Sequence, residues 1–476
     1  MKRVVIIGGG IAGLATAYSL REHEGGEGSP LFEVVVLEKK PKVGGNITTE
    51  RVDGFIVEGG PDCFISEKPW AMALCKRIGL AEKLLPTNDE LRKTFVLSRG
   101  KLHELPEGVI LMIPTKILPL LTSSLITLPG KIRMGLELFI PKRKEKSDET
   151  LGDFVRRRLG REVLEKIAEP LVAGVHSGDP ETMSVRATFP KFVQLEEDYG
   201  SLIRGMLKRM GAFKKSAPAR SGEKKMTMFV TLRDGLSDFI ERLDTLIKGF
   251  ENTSIKTDTT VKGLSKKGKK FLIDIEGADP LEADSVIIAA PAYAASKIID
   301  GLDSGLSQKL LEIPYVSTAT VSIAFKKKDI KHPLNGFGFV VPRSENRRIM
   351  ASTWTSVKFE NRAPEDSVLI RCFVGGSKNK ELLSLSDARM TALVREELRD
   401  IMGITAEPLF SRVYRWMNSM PQYTVGHEER VKAIDEGAGK HPGLFLTGSA
   451  YHGIGIPDSV RNGEVTAKKA LHFIRG

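Results

Sequence analysis

Gly8, Gly10 and Gly13 stand in the spacing G-x-G-x-x-G near the start of the chain, with Gly9 doubling the first of them. That spacing offers one kind of chemistry: backbone N–H groups that cradle a dinucleotide pyrophosphate. Gly8 permits the tight turn, Gly10 lets backbone approach the phosphates, and Gly13 lets a helix pack closely on the preceding strand. Further on, Glu38 closes a second apolar run. It lies slightly beyond the usual distance of ~20 residues, and the Gly-rich loop "EHEGGEGSP" accounts for the excess. A carboxylate there accepts hydrogen bonds from the ribose hydroxyls and repels a 2′-phosphate, which disfavours NADP. No Ser/His/Asp, Cys/His or His-cluster pattern accompanies these groups, and His176 and His452 read as structural. Cys63, Cys75 and Cys372 are odd in number and far apart, so they make neither a disulfide framework nor a metal site. The chemistry must come from a bound cofactor.

The elements that position these residues follow from the same stretches. Val4–Ile7 are β-formers that run into the glycine turn, and a helical pattern begins at Ile11. "LFEVVVLEKK" is the second strand. Glycine doublets follow at Gly44 with Gly45 and at Gly59 with Gly60. A nicotinamide dehydrogenase has no need of a Gly-Gly turn directly after the second strand. A dinucleotide whose flavin half passes close to backbone does, and this points to FAD. Near the end of the chain "LFLTGSAYHGIGIPDSV" predicts a strand at Leu444–Thr447, the turn residue Gly448, and a helix from about Pro457 with Asp458 in its first turn. A second helix N-terminus is thereby brought to the cofactor.

The 476 residues suffice for two or three domains, and 41% hydrophobic with 28% charged residues is ordinary globular composition. The net charge of +12 resides largely in loops such as "PKRKEK" and "KRMGAFKKSAPARSGEKK", which lack interleaved aromatics. Nucleic acid is therefore not the expected partner; the charge reads either as solvated loops or as attraction to an anionic lipid surface or a polycarboxylate. Between Val109 and Pro141 an apolar run is broken by Pro114, Lys116, Pro119 and Pro129, short of the ~20 residues of a membrane span. Its segment Ile117–Leu128 fits either an interfacial helix or a buried helical hairpin. Alternation in "TATVSIAFKK", "GFGFVVP", "RIMASTWTS" and "VLIRCFVGG" predicts a mostly antiparallel sheet.

The expected fold is thus α/β plus α+β. A discontinuous Rossmann-like FAD-binding domain takes residues 1–65, 226–305 and 412–476. An antiparallel-sheet substrate domain takes 66–90, 183–225 and 306–411. Residues 91–182 form a helical, membrane-associated region.

Over essentially its whole length the chain resembles the FAD-dependent porphyrinogen oxidases of heme biosynthesis, relatives of the monoamine oxidases and phytoene desaturases. The resemblance is carried by "GGGIAG", "EKKPKVGGN", "EGGPDCF", "EPLVAGVHSGDPETMSVRATFP", "NRAPEDSVLIRCFVGG" and "YHGIGIPDSV". It implies a six-electron oxidation of coproporphyrinogen III or protoporphyrinogen IX with O₂ as acceptor and H₂O₂ as by-product. It also implies cofactor contacts at Gly8, Gly9, Gly10, Ile11, Ala12, Gly13, Glu38, Lys39, Gly45 and Asn46. Further contacts fall at Gly60, Pro61, Asp62, Cys63, Val261, Trp416, Ser449, Ile454, Gly455 and Ile456. In the substrate cavity it places the Gly174 carbonyl at a pyrrole N–H, with Val340, Met350 and Phe373 around the macrocycle. No side chain is implied as a catalytic acid or base, and no metal. The mitochondrial members carry an arginine for a propionate where this chain has Thr94, with Arg92, Lys93 and Arg99 nearby, and in this it is similar to the bacterial members. The resemblance places the protein in the cytoplasm, or peripherally on the inner face of the cell membrane, with a homodimer left open. Two other readings share the architecture: a flavin amine oxidase or carotenoid desaturase, and a flavin-free binding scaffold of the dissociation-inhibitor type. The intact glycine turn, Glu38 and the second doublet speak against the scaffold.

Overall fold

A computed structural model describes residues 1–24, 31–106, 109–110, 113–114, 119, 122–216 and 226–476. The chain divides into two compact units. The first comprises Met1–Pro86, Met226–Pro314 and Glu428–Gly476, the second Thr87–Lys225 and Tyr315–His427. In chain order the elements that carry the site begin with strand β1 (Lys2–Ile7), helix α1 (Ile11–Glu22) and β2 (Phe32–Leu37). Next come β3 (Thr94–Ser98), β4 (Lys101–Glu104), α2 (Leu128–Gly135) and α3 (Glu169–His176). After them follow β5 (Thr253–Lys256), β6 (Ser285–Ile288), β7 (Tyr315–Lys326), β8 (Gly338–Val340) and β9 (Ile349–Trp354). The last are β10 (Ser367–Gly375), β11 (Phe410–Pro421), β12 (Leu444–Leu446) and α4 (Ile456–Arg475).

The first unit is organised by a five-stranded sheet in the order β5-β2-β1-β6-β12, parallel throughout. Val4–Ile6, Val34, Val36 and Val286–Ile288 are fully buried. Unbroken apolar runs of this kind suit parallel strands covered on both faces. Helix α1 lies against α4 and the helix Ser237–Gly249. The α1–α4 approach is so close that a Cβ at Gly463 would come within 2.6 Å of the Ala12 carbonyl oxygen.

The second unit holds a seven-stranded sheet ordered β11-β7-β10-β9-β8-β3-β4, antiparallel except between β8 and β3. One face is the apolar core expected from the alternation: Val321, Ile323, Ile370, Cys372, Val374 and Trp354 pack with Met390, Val394 and Leu398 of the helix Asp387–Met402. The expectation that residues 91–182 are mainly helical is corrected at β3 and β4, a hairpin that extends this sheet. Its turn is Arg99–Gly100, both at positive φ (54° and 71°), as a two-residue hairpin of this twist requires. An Arg-Gly pair is a weaker turn signal than Asn-Gly, so the sequence understated it.

The apolar run between Val109 and Pro141 divides as well. Ile117, Leu118, Leu120 and Leu121 lie outside the described residues. Leu125 and Ile126 are buried in a core with Phe154, Leu159 and Ile167. Among the described residues no helix is long and apolar enough to cross a membrane.

Candidate functional site

The glycine turn is built as the spacing predicts, but its glycines answer to different demands. A Cβ on Gly13 would lie 2.0 Å from the Gly8 carbonyl oxygen, and one on Gly8 would lie 2.7 Å from that of Ala289. Gly8, at φ +113°, also donates its N–H to the Leu37 carbonyl at 2.8 Å. These two glycines are required by the protein's own packing. Around Gly10 a Cβ would meet nothing nearer than the Gly45 Cα at 3.9 Å. Gly10 is the N-cap of α1 and supplies no side-chain acceptor, so the first N–H groups of the helix are left for a ligand. The fit to a dinucleotide phosphate rests on this open side.

Glu38 is buried at the end of β2, where it receives Gly9 N–H on Oε2 (2.6 Å) and Lys40 N–H on Oε1 (2.8 Å). Each carboxylate oxygen keeps acceptor capacity for a ribose hydroxyl. The second doublet folds back on the first. Gly44 N–H donates to the Gly9 carbonyl at 2.8 Å, Gly10 and Gly44 form a parallel bridge, and Gly44 and Gly45 take φ of +120° and +63°. Close backbone approach is therefore a sufficient reason for this doublet, whatever the ligand. Lys39 and Asn46 are exposed beside it. Thr259 N–H binds the Glu38 carbonyl (2.9 Å), which brings the strand beginning at Val261 to the same end of the sheet.

Gly60, Pro61, Asp62 and Cys63 follow the strand Phe55–Glu58, whose buried Glu58 carboxylate is held by Thr49 Oγ1 (2.7 Å) and Leu236 N–H (2.8 Å). The other helix N-terminus is also present. Gly448 turns at φ +122° after β12, Ser449 and Ile454 lie in the following loop, and Gly455 caps α4 without a side-chain bond just before Ile456. Asp458 in that first turn is fixed by Lys68 Nζ at 2.7 and 2.6 Å. Trp416 stands on β11, in the second unit.

The four expected substrate residues all belong to the second unit. Val340 and Phe373 lie on the sheet face opposite the Trp354 core, where Val340 joins a second apolar core with Val96, Ala351 and Ile167 and Phe373 packs at its margin. Met350 is on β9 and Gly174 is in α3. Strand pairing sets one continuous row, Tyr414–Thr320–Phe373–Ala351–Val340–Val96, running from β11 to β3. Phe373 and Val340 are thus co-facial, two strands apart, at about 10 Å. Over the Val340 end lies α3: a Cβ on Gly174 would be 3.4 Å from Val340 Cγ1 and 3.7 Å from Ala351 Cβ. Gly174 sits in the last turn of α3, where helix carbonyls lack an internal donor. Ser177 N–H takes the Ala173 oxygen and Gln422 Nε2 that of His176, and among the described residues no donor reaches the Gly174 oxygen. Met350 occupies an irregularity in the β9–β10 pairing, its Sδ 2.6 Å from where a Cβ on Gly376 would be.

A second row, one step along the same face, escaped the sequence reading. Ladder pairing aligns Arg412, Ser322, Arg371, Thr353, Gly338 and Thr94. Arg371 is buried with its guanidinium carbon 4.9 Å from the Phe373 ring centroid. The signal was available, since a period of two puts Arg371 and Phe373 of "VLIRCFVGG" on one face. On the opposite face burial pushes the Cys372 thiol up to about 12, so it is inert. Among the described residues no cluster of His, Cys, Asp or Glu is arranged to hold a metal.

Residues 11–471 match the family described as flavin containing amine oxidoreductase. The chain is 37% identical to the coproporphyrinogen III oxidase of Bacillus subtilis, across 99% of this chain and 98% of the relative. It is 27% identical to the chloroplastic/mitochondrial protoporphyrinogen oxidase 2 of Arabidopsis thaliana, across 99% and 94%. A crystal structure from Exiguobacterium sp. 255-15, provisionally named a protoporphyrinogen oxidase, superimposes with a TM-score of 0.85 at 33% identity over 99% of both chains. The chain belongs to the flavin containing amine oxidoreductase family, and its cofactor is FAD.

Proposed function

We propose that the protein oxidises a porphyrinogen to the porphyrin, with coproporphyrinogen III as the preferred substrate. The observation that carries this reading is the full-length 37% identity to a coproporphyrinogen III oxidase, against 27% to a protoporphyrinogen oxidase. FAD, when bound, supplies the chemistry by accepting a hydride equivalent and passing its electrons to O₂. In the complete reaction six hydrogens leave the porphyrinogen and three O₂ become three H₂O₂.

What the chain's own residues contribute is position. Phe373 offers an aromatic surface, and Val340 and Met350 extend it with apolar atoms that exclude water. The open Gly174 carbonyl, at the negative end of α3, accepts a pyrrole N–H. Such a floor fixes the orientation of the macrocycle, and misplacement of a reacting carbon by an ångström lowers a rate about a hundredfold. No side-chain base is required by this scheme. Steady-state oxidation of both porphyrinogens, with H₂O₂ counted and flavin measured near ~450 nm, tests the reading. A flavin-loaded protein that turns over neither substrate overturns it.

The same reading includes peripheral attachment to an anionic membrane. Its support is a stripe on α2 and the turn that continues it: Leu128, Ile132, Leu136 and Phe139 are 68%, 58%, 48% and 77% exposed. Their spacing puts them on one side of the helix. Lys142, Lys144 and Lys146 follow directly and are exposed. An apolar stripe beside cations is the pattern of an interfacial helix.

A further inference from the structure

We infer that Arg371, assisted by Arg412, is the carboxylate anchor of the substrate site, selecting a ligand that carries acid groups at the rim of its apolar body. This deepens the porphyrinogen reading and rests on it. The first support is register. Arg371 stands two residues before Phe373 on β10, so both side chains leave the same face, and the guanidinium carbon is 4.9 Å from the ring centroid. An apolar body lying on Phe373 therefore has a guanidinium at its edge. The second is the row itself. Arg412 shares it, separated from Arg371 only by Ser322, so the two Cα atoms stand about 10 Å apart, with the Arg412 guanidinium over the Phe410 ring (5.1 Å) and donating to the Ser411 carbonyl (3.1 Å). That spacing suits two carboxylates of a single rigid ligand. The third is environment. Arg371 is 3% exposed, and the neighbouring Thr320 and Ser322 are buried, whereas the opposite face is mainly apolar, with Ser352 and Arg415 as polar members. A sheet face that buries hydroxyls and a guanidinium around an aromatic ring suits a ligand that is apolar in body and acidic at the rim. The planar fork of arginine meets a carboxylate through two parallel N–H bonds, strong in a water-poor site.

The test uses the flavin-loaded enzyme and two stable ligands of one shape, coproporphyrin III and its neutral tetramethyl ester, titrated by absorbance in the same detergent buffer. Arg371→Met is expected to weaken binding of the acid roughly ten- to hundredfold while leaving the ester within about twofold. Arg371→Lys keeps the charge without the fork and recovers part of the loss. Arg412→Gln gives a smaller loss of the same kind. In turnover, KM for coproporphyrinogen III rises in Arg371→Met while kcat stays within about threefold. Equal weakening of acid and ester in Arg371→Met would assign the residue to packing, and unchanged affinity for the acid would remove it from the site; either overturns the inference. Should Arg371→Met lose flavin or melt early, Arg371→Lys and Arg412→Gln decide, and an unaltered acid-over-ester preference in both overturns it. Failure of the porphyrinogen reading shows separately, as a wild-type enzyme that turns over neither porphyrinogen, because the acid-to-ester ratio is read without turnover.

Discussion

Gly9 N–H donates to Glu38 Oε2 at 2.6 Å, so the glycine turn and the carboxylate proposed to meet the ribose are tied directly to each other. Glu38→Ala removes this bond, the Lys40 bond on Oε1 and the ribose acceptor together. Loss of a charge-assisted hydrogen bond is worth about 1.5–3 kcal/mol. FAD affinity is expected to fall at least tenfold, measured as flavin retained per chain after gel filtration. Stoichiometric flavin in this variant would remove Glu38 from the site.

Gly10 and Gly13 are separable by substitution. Gly10 faces open space, so Gly10→Asp is expected to fold with a near-native melting point yet purify without flavin. Gly13 faces the Gly8 carbonyl, so even Gly13→Ala forces helix and strand apart and lowers the melting temperature sharply. If Gly10→Asp keeps its flavin, the open side of the turn is not the phosphate site.

Phe373 is half-buried at the margin of a core and carries Arg371 over its ring. Phe373→Ala is expected to lower both kcat and kcat/KM for porphyrinogen, with one aromatic contact worth on the order of 1–3 kcal/mol. Flavin content and melting temperature should change little. A purely structural phenylalanine would instead give about 3–5 kcal/mol of lost stability with normal turnover of the folded fraction. Flavin, thermal midpoint and turnover on one preparation separate the two.

For the membrane face, flotation with vesicles containing phosphatidylglycerol is expected at low ionic strength and to diminish with salt. Ile132→Asp with Phe139→Asp should abolish it without altering turnover in detergent. Flotation unaffected by this pair would place the contact elsewhere.

Acid stability should report on Glu196. Burial alone would raise its carboxyl, but the two bonds from Arg157 at 2.6 and 2.9 Å and the nearby Arg158 outweigh that, and its pKa is lowered. A depressed carboxyl contributes stability above its unfolded value of about 4.3, and loses it as pH falls through the lower folded value. The melting temperature of wild type should therefore exceed that of Glu196→Gln at pH 7. The gap should close below about pH 4. A gap independent of pH would mean that the pair contributes through packing alone.

The cofactor half of the protein was legible in the sequence because its chemistry is local. A strand, three glycines and a helix start form within a dozen residues, and the helix N-terminus is left without a side-chain cap by that short stretch itself. Even there the tertiary structure assigned the reasons: Gly13 serves the Gly8 carbonyl, Gly44 and Gly45 serve the first turn, and only Gly10 looks outward. The substrate half was legible as alternating strands, while the residues proposed for its site come from resemblance alone. Residues as far apart in the chain as Val340, Phe373 and Tyr414 become neighbours only when register is fixed across five strands. A slip of one residue would turn each to the opposite face. The Arg371–Arg412 row was decided in the same way, by pairing between strands, which sequence spacing does not encode.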